Sequence, residues 1–562
     1  MDINQHTEFF GSGEIGGKAS GLVSISDALR NPGSGFSVPL NVYVPDFSVI
    51  TTEFFLDFVN RNDLQVYAEK DEPDDRIAMA FLNGDISPML TGELWKFVSA
   101  AHEPIAVRSS SLLEDNLNSP LAGIYVTKMI PNNQPSVEIR FRKLIEAIKL
   151  IWASTYFSDS KEFHRGIGSS VSEEAMAVVL QKIAGRRYGN RFYPVVSGVA
   201  RSFNYYAFGK SKPSDGVVNL ALGLGKSIVD GGLCWSYSPT SPAAPPPFGS
   251  VGDMMKCTQS SFWAVNMERI TDYDPVRETE YMISCTLSDA DYDDTLKFVA
   301  STYLPESDSL VHGTGRSGPK VVNFAPILVD RSIQVNDSIL GVLGLCSEKA
   351  DSPVEIEFAI IGPVQKELPS LALLQLRPIS AFSEDVDIRD AELNGDNVLA
   401  KSHRALGNGI TKVRYIVYVK PESFSTSKTR QIASEIARIN RILTDEKAEY
   451  LLIGYGRWGS SDPWLGIPVT WGHISGAKAI IEISGPKMRV ELSQGSHFFH
   501  NLSSFGISYL SVSEPLDGPV NWEIINSGSE VHHETEHVRC LKLPDGVSIK
   551  INGKKGLGVV FR

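Results

Sequence analysis

The chain of 562 residues carries 53 Lys plus Arg against 66 Asp plus Glu, a net charge of −13, and that acidic balance argues against a protein that grips nucleic acid through a basic face. Apolar residues make up 42% and charged residues 21%, the composition of a globular rather than a disordered chain, long enough for several packed cores. Met1-Asp-Ile-Asn-Gln-His6 has neither a basic n-region nor an apolar h-region, and no long apolar run follows; no signal peptide and no membrane span are expected, and the default address is cytoplasmic. The five cysteines, Cys234, Cys257, Cys285, Cys346 and Cys540, are widely spaced without a C-x-x-C pair, which reads as reduced core thiols rather than a disulfide or zinc framework.

In chain order, the first feature is Gly11-Ser-Gly13-Glu-Ile-Gly16-Gly17-Lys18. It contains G-x-G-x-x-G, yet no buried strand precedes it and no acidic residue follows about twenty positions on, so it is not a dinucleotide fingerprint. As a Walker A loop it fails too, because Ala19 stands where Ser or Thr should hold magnesium. What remains is a flexible turn that delivers Lys18 to the start of a helix spanning 18–29, a setting that favours an anion. Next, the apolar run 105–107 reads as a strand that presents Arg108, Ser109, Ser110 and Ser111 at one turn, followed by Glu114-Asp115 and Pro120-Leu-Ala-Gly123. An arginine fork beside hydroxyls suits phosphate oxygens, and a plain Ser-rich turn is the alternative.

Apolar positions Val137, Phe141, Leu144, Ile145, Ile148, Ile151 and Trp152 repeat at helical spacing. Short apolar runs at 177–180, 217–222, 356–361 and 371–376 have strand lengths, so the first 380 residues read as an α/β or α+β unit. The proline-rich stretch 238–249 reads as a surface loop. His312-Gly-Thr-Gly315-Arg316 is a further glycine loop of no assigned role. In Val354-Glu355-Ile356-Glu357-Phe358 the two carboxylates share one strand face, and in Leu374-Gln375-Leu376-Arg377-Pro378 so do Gln375 and Arg377. If these strands pair, a carboxylate and an amide oxygen converge with a guanidinium, a donor set for magnesium and for the phosphate it bridges. A polar-edged hairpin without a ligand is the alternative.

Taken together and in this order, Gly16-Gly17-Lys18, Val107-Arg108-Ser109-Ser110, Leu180-Gln181-Lys182-Ile183, Ser197-Gly198-Val199, Gly223-Leu224-Gly225 and Leu374-Gln375-Leu376-Arg377-Pro378 resemble the ATP-grasp nucleotide-binding domain of pyruvate phosphate dikinase and phosphoenolpyruvate synthase. The resemblance implies a two-lobed ATP-grasp fold over residues 1–380 and an ATP- and Mg2+-dependent phosphotransferase. In that reading Lys18 and Arg108 hold phosphates, Gln181, Lys182 and Ile183 line the adenine, and Gly223 and Gly225 border the nucleotide. Glu357 and Gln375 bind Mg2+, and Arg377 sits on the transferred phosphoryl group. The family usually carries an acidic residue after Gly-Leu-Gly, where this chain has Lys226.

The acidic stretch 381–397 reads as a linker or a solvated helix, and residues 398–562 as a smaller mixed α/β domain of unassigned family. The 182 residues after position 380 are too few for the TIM barrel of the full dikinases, which takes about 250. The nearest string to the phosphohistidine turn of those enzymes is Thr470-Trp471-Gly472-His473, with the histidine out of step, so His473 is expected to be an ordinary hydrogen-bonded side chain. The acceptor is then a small molecule or a protein, one candidate being a separate phosphohistidine carrier, and neither nucleic acid nor membrane is an expected partner. Gly454-Tyr-Gly456-Arg457-Trp458-Gly459 through Trp464, with Ser493-Gln-Gly495-Ser496-His497, either forms an acceptor site or caps a β-rich core. An amphipathic helix is marked by Ile432, Ile436, Ile439 and Leu443, and turns are expected at Asp545-Gly546 and Asn552-Gly553. His532-His533-Glu534-Thr-Glu536-His537 has metal-binding residue types without a strong zinc spacing and reads as a solvated loop. A non-catalytic nucleotide-binding regulatory protein is the rival reading of the whole chain.

Overall fold

The computed structural model describes residues 7–562 apart from 34, 113–122, 168, 205–211, 245–250, 257, 269–272, 364–366, 380–385, 461, 463, 486–487, 489–497, 499–501, 503–505 and 554. Glu114, Asp115, Ala122, Cys257 and Ser493 to His497 therefore lie outside the described residues. The elements that build the N-terminal part are helix α1 (Gly16–Arg30), strand β1 (Ile105–Ser111), helix α2 (Val137–Ser154), and strands β2 (Met176–Lys182), β3 (Val196–Arg201), β4 (Val217–Leu222), β5 (Val354–Ile361) and β6 (Ser370–Pro378). Helix α2 begins where Ser136 accepts a hydrogen bond from the Ile139 N–H, an N-cap that satisfies one of the orphan donors of the first turn. Its Leu144, Ile148, Ile151 and Trp152 are fully buried, as the helical spacing predicts.

Two sheets contribute to one apolar cluster. The first has the strand order Thr7–Phe10, Phe47–Ile50, β2, β1, Thr127–Ile130; the second runs Trp235–Tyr237, β4, β3, β5, β6, Asn41–Tyr43. Both are mixed, mostly antiparallel sheets. Together with the helices they make the α+β, ATP-grasp-like architecture expected. Helix α1 joins them: it buries Ala19, Leu22 and Ile25 and passes so close to β6 that a Cβ on Gly21 would stand 2.3 Å from the Leu376 carbonyl oxygen. β5 and β6 form the expected hairpin, with Glu355 opposite Arg377 and Glu357 opposite Gln375; the register then shifts, so that Phe358 faces Leu373 and Leu374 is left over as a bulge.

Past residue 397 comes a nine-stranded sheet. Its centre is β7 (Gly409–Val419), helix α3 (Thr429–Asp445), β8 (Tyr450–Tyr455), β9 (Ala477–Ser484) and β10 (Ser508–Ser513), with β7, β8, β9 and β10 parallel. Strand β12 (Val538–Asn552) pairs antiparallel with β7 and carries the short edge strand β11 (Glu530–Glu534), also antiparallel. One sequence expectation is corrected here. Asp545-Gly546 is no turn: β12 runs through it, and Gly546, at φ +74°, lies opposite the point where the β7 register shifts between Val413 and Tyr415, so the glycine serves a bulge that keeps the strand continuous. Within the acidic stretch Asp390–Leu393 forms a short helix, and Glu392 pairs with Lys550 of β12 at 2.8 Å. Asn552-Gly553 does open the hairpin to the last strand, Leu557–Phe561.

Of the cysteines, Cys285, Cys346 and Cys540 are buried free thiols and Cys234 is half-buried. One apolar cluster runs from Phe55, Phe58 and Trp152 beside the first sheet into Ile432, Trp458 and Trp471 of the C-terminal part. A second fills the space between α1 and the second sheet. No helix among the described residues is long and apolar enough to cross a membrane.

Candidate functional site

Arg108 is the bracket between the two sheets. It leaves β1 with its side chain 13% exposed and donates from Nη1 to Gln181 Oε1 (3.3 Å) and the Leu374 carbonyl (2.9 Å), and from Nη2 to Glu357 Oε2 (3.0 Å) and Gln375 Oε1 (2.7 Å). Strand alternation explains the first contact, because β1 and β2 pair antiparallel with Ala106 opposite Gln181, placing Gln181 beside the outward face of Arg108. The β6 bulge explains the second, because it turns the Leu374 carbonyl toward the guanidinium. Glu357 and Gln375 thus offer two hard oxygens to one point now held by Nη2. A carboxylate and an amide oxygen are the donors magnesium takes, so the residues fit the ion, which would displace the guanidinium from that point.

Around this bracket lies a cavity of about 210 Å³. Gln181, Lys182 and Ile183 all line it, with Ala106, Met129, Ala184, Met282 and Leu374 as apolar wall. The Lys182 N–H is bonded to the Asp46 carbonyl and the Ile183 N–H to that of Pro104, so those two amide donors are already used within the protein. Gly225 is part of the wall and Gly223 is not. Gly223, at φ +80°, makes the turn after β4, where a Cβ would strike the Phe262 ring at 2.6 Å.

Lys18 stands in the first turn of α1 and donates to Ser109 Oγ at 3.0 Å, while Ser110 Oγ receives the Ala19 N–H (3.0 Å) and donates to the Ile15 carbonyl (2.8 Å). The serines after Arg108 therefore anchor the glycine turn, and Lys18 sits beside the cavity rather than in its wall. Arg377 also lies outside the wall. Its Nε donates to Glu355 Oε1 at 2.5 Å, and Glu355 also pairs with Arg201; each of the three is at most 3% exposed. Burial pushes the Glu355 carboxyl up, but the two guanidinium charges outweigh it and hold it below the ordinary value.

Residue-by-residue reading missed the acidic clamp on Lys226. Lys226 lines the cavity with Asp230 and Glu278, pairing with the first at 2.9 Å and lying 3.8 Å from the second. The i,i+4 spacing of Lys226 and Asp230 is the one local signal for it. Glu278 arrives from about fifty residues further on, so its part is invisible locally. Burial raises the Glu278 carboxyl and would lower Lys226, but the carboxylates keep Lys226 above its usual value.

The C-terminal run divides between the two readings. Trp458 is core, its Nε1–H bonded to the Ile481 carbonyl, whereas Trp464 is 70% exposed. Arg457 reaches across to the carbonyls of Gly231 (3.1 Å) and Gly232 (3.2 Å). A second cavity of about 320 Å³ lies between Gly459, Ser460, Thr470 and Trp471 on one side and Asp159 on the other, and shares Gly123, Val229 and Asp230 with the first. His473 accepts the Thr470 N–H at Nδ1 (3.2 Å), an ordinary turn contact.

Residues 12–394 match the family model described as pyruvate phosphate dikinase, AMP/ATP-binding domain. The chain belongs to that family. The match covers both sheets apart from the edge strand Thr7–Phe10, includes the bracket between them, and stops short of the nine-stranded sheet. No curated protein matches the chain significantly. A nucleotide-binding, dikinase-like domain is therefore what the cavity around Arg108 belongs to.

Proposed function

We propose that the protein is an ATP- and Mg2+-dependent phosphotransferase whose nucleotide site is the cavity bracketed by Arg108. The observation that carries this reading is the convergence of Glu357, Gln375 and Gln181 on that one guanidinium, from three strands of two sheets. Adenine would lie against Gln181 to Ile183 and the apolar wall, with Gly223 and Gly225 shaping the far side. Arg108, Lys18 and Arg377 would neutralise phosphate charge, catalysis being mainly positioning and electrostatics. Glu357 and Gln375 would hold Mg2+, which when bound would supply positive charge to neutralise the phosphates. For Arg377 to reach the transferred group, Glu355 must release part of its hold, so Glu355 would act as the group that parks and positions this arginine. The second cavity, sharing a wall with the first, is where the acceptor would enter, whether a small molecule or the tip of a separate phosphohistidine carrier protein.

The test is Glu357→Ala. Its partner Arg108 keeps three other acceptors, Gln181, Gln375 and the Leu374 carbonyl, so the fold should survive, and Mg2+-dependent ATP turnover should vanish. Wild-type turnover in that variant would refute the assignment. The continuity of the core between the first sheet and the C-terminal part, with the Arg457 contacts to residues beside the cavity wall, favours one second reading: a non-catalytic module in which nucleotide occupancy alters the surface of residues 398–562. ATP labelled separately at the β and γ positions separates the two. Release of AMP or ADP supports the enzyme, whereas tight binding without release across candidate acceptors supports the module.

A further inference from the structure

The run His532-His533 was set apart in the sequence for its metal-binding residue types, and the nucleotide reading gives it no role. Adjacent residues of a regular strand point to opposite faces. In β11 they do not, because the register against β12 slips between Val531, opposite Leu541, and His533, opposite Cys540, leaving His532 as the extra residue of a bulge. The two imidazoles consequently stand together, ring centroids 4.4 Å apart at 70°. Glu446, the residue that ends helix α3, completes the group: its Oε2 lies 3.0 Å from His532 Nε2. One ligand atom from each of the three lies within 4.8 Å of the others.

We propose that Glu446, His532 and His533 form a zinc-type divalent metal site that clamps the end of α3 to the edge strand β11. The donor set is two imidazole nitrogens and one carboxylate oxygen, borderline ligands that suit Zn2+ better than Mg2+ or Ca2+. A tetrahedral ion with bonds near 2.0–2.2 Å holds its ligand atoms about 3.3–3.6 Å apart, so the three ligand atoms must draw together to close on an ion. An independent sign is His533 Nε2, which is shielded from solvent and has no hydrogen-bond partner. A buried ring nitrogen without a partner is costly, and coordination would remove that cost. Glu446 is 41% exposed on its side chain, which leaves an entry path and room for water as a fourth ligand.

Two other carboxylate-histidine groups make weaker sites, because their carboxylates already serve protein donors. Asp159 accepts from Thr470 and Glu162 from Arg441; Glu435 accepts from Gln431, Thr535 and the His537 N–H.

The experiment is a Co2+ titration of the untagged, chelator-treated full chain, followed by the visible bands of tetrahedral cobalt, with Zn2+ as competitor. The wild type should show one saturable site that Zn2+ empties, and Zn2+ should raise the thermal midpoint. His533→Ala and, separately, Glu446→Gln should weaken Co2+ binding by more than about tenfold, the lower bound for losing even an outer-shell partner, and should abolish the Zn2+-dependent rise. Because Glu446 is exposed, its variant reports on the site even if the histidine variant folds poorly. His537→Ala, beside the Glu435 group, should bind as the wild type does. Unchanged binding in both ligand variants, loss confined to His537→Ala, or no saturable site in the wild type would overturn the proposal. ATP turnover is a separate readout, so failure here leaves the phosphotransferase reading untouched.

Discussion

Arg108 does two jobs of opposite sign. In the proposed site it would be a cation towards the nucleotide, and it would compete with a metal for the Glu357 and Gln375 oxygens it now holds. Arg108→Met should therefore weaken ATP binding by about 10- to 100-fold, the worth of one or two charge-assisted hydrogen bonds, while tightening Mn2+ binding measured without nucleotide. Calorimetry of each ligand checks both signs, and parallel losses would show that the bracket only holds the lobes. Glu355 works differently. Replaced by Ala, it leaves Arg201 and Arg377 buried with their shared counter-charge removed, a change that typically costs about 3–5 kcal/mol. Thermal unfolding of the ATP-free protein should show that drop, and the residual turnover would report how far Arg377 depends on its anchor.

At the scale of elements, the site depends on two backbone irregularities. One is the β6 bulge at Leu374, which aims a carbonyl at Arg108. The other is the entry to α1: Gly16 has φ +73°, and a Cβ there would lie 1.9 Å from the Ser110 carbonyl oxygen. Gly16→Ala meets both the strained φ, worth about 1–3 kcal/mol, and a backbone clash that no rotamer relieves. The expected result is a lower melting temperature together with loss of ATP affinity, since the serines that bond to α1 neighbour Arg108. Gly33→Ala is the control, because its positive φ is similar but a Cβ there meets nothing within 4 Å; it should melt slightly lower and bind ATP normally.

For the whole molecule, the junction between the N-terminal sheets and the C-terminal part runs close to Glu482 of β9. Burial pushes this carboxyl up to about 7, against the lowering effects of the Tyr509 hydroxyl and of Arg457, the residue that reaches Gly231 and Gly232. A carboxyl whose pKa is raised on folding stabilises the fold fully below its unfolded value of 4.5 and progressively less as pH climbs through the folded value. At 1.36 kcal/mol per unit, the loss across that window is about 3 kcal/mol. Glu482→Gln should flatten this decline, so the difference in thermal midpoint between variant and wild type should grow from pH 4.5 to pH 7 and then level off. A constant difference would show that Glu482 is ionised throughout. Loosening of the junction above pH 7 should also appear as faster amide exchange in residues 226–232 in the wild type than in Glu482→Gln.

What the chain determined locally was whatever depends on near neighbours. Helical spacing at 137–152 and 432–443 and the strand-length apolar runs at 105–107, 177–180, 356–361 and 371–376 follow from periodicity, the shared strand faces of Glu355 with Glu357 and of Gln375 with Arg377 follow from alternation, and the elements are present. The order of weak glycine, arginine and glutamine motifs was enough to indicate the family, because a binding loop needs its residue types at set offsets whatever surrounds it. Bulges were not legible: Gly546 reads as a turn by composition, and only pairing with β7 decides that β12 continues through it. The same holds for His532 and His533, whose common direction depends on a register slip against β12, and for Glu446, which reaches them from the end of α3. Lys226 looked like a change of charge at the site until the tertiary fold set Glu278 beside it. Arg377 looked like a cleft residue until Glu355, pinned between it and Arg201, set where its charge lies. Electrostatic partners act through space, so the sequence names the charges and only the folded chain decides which of them meet.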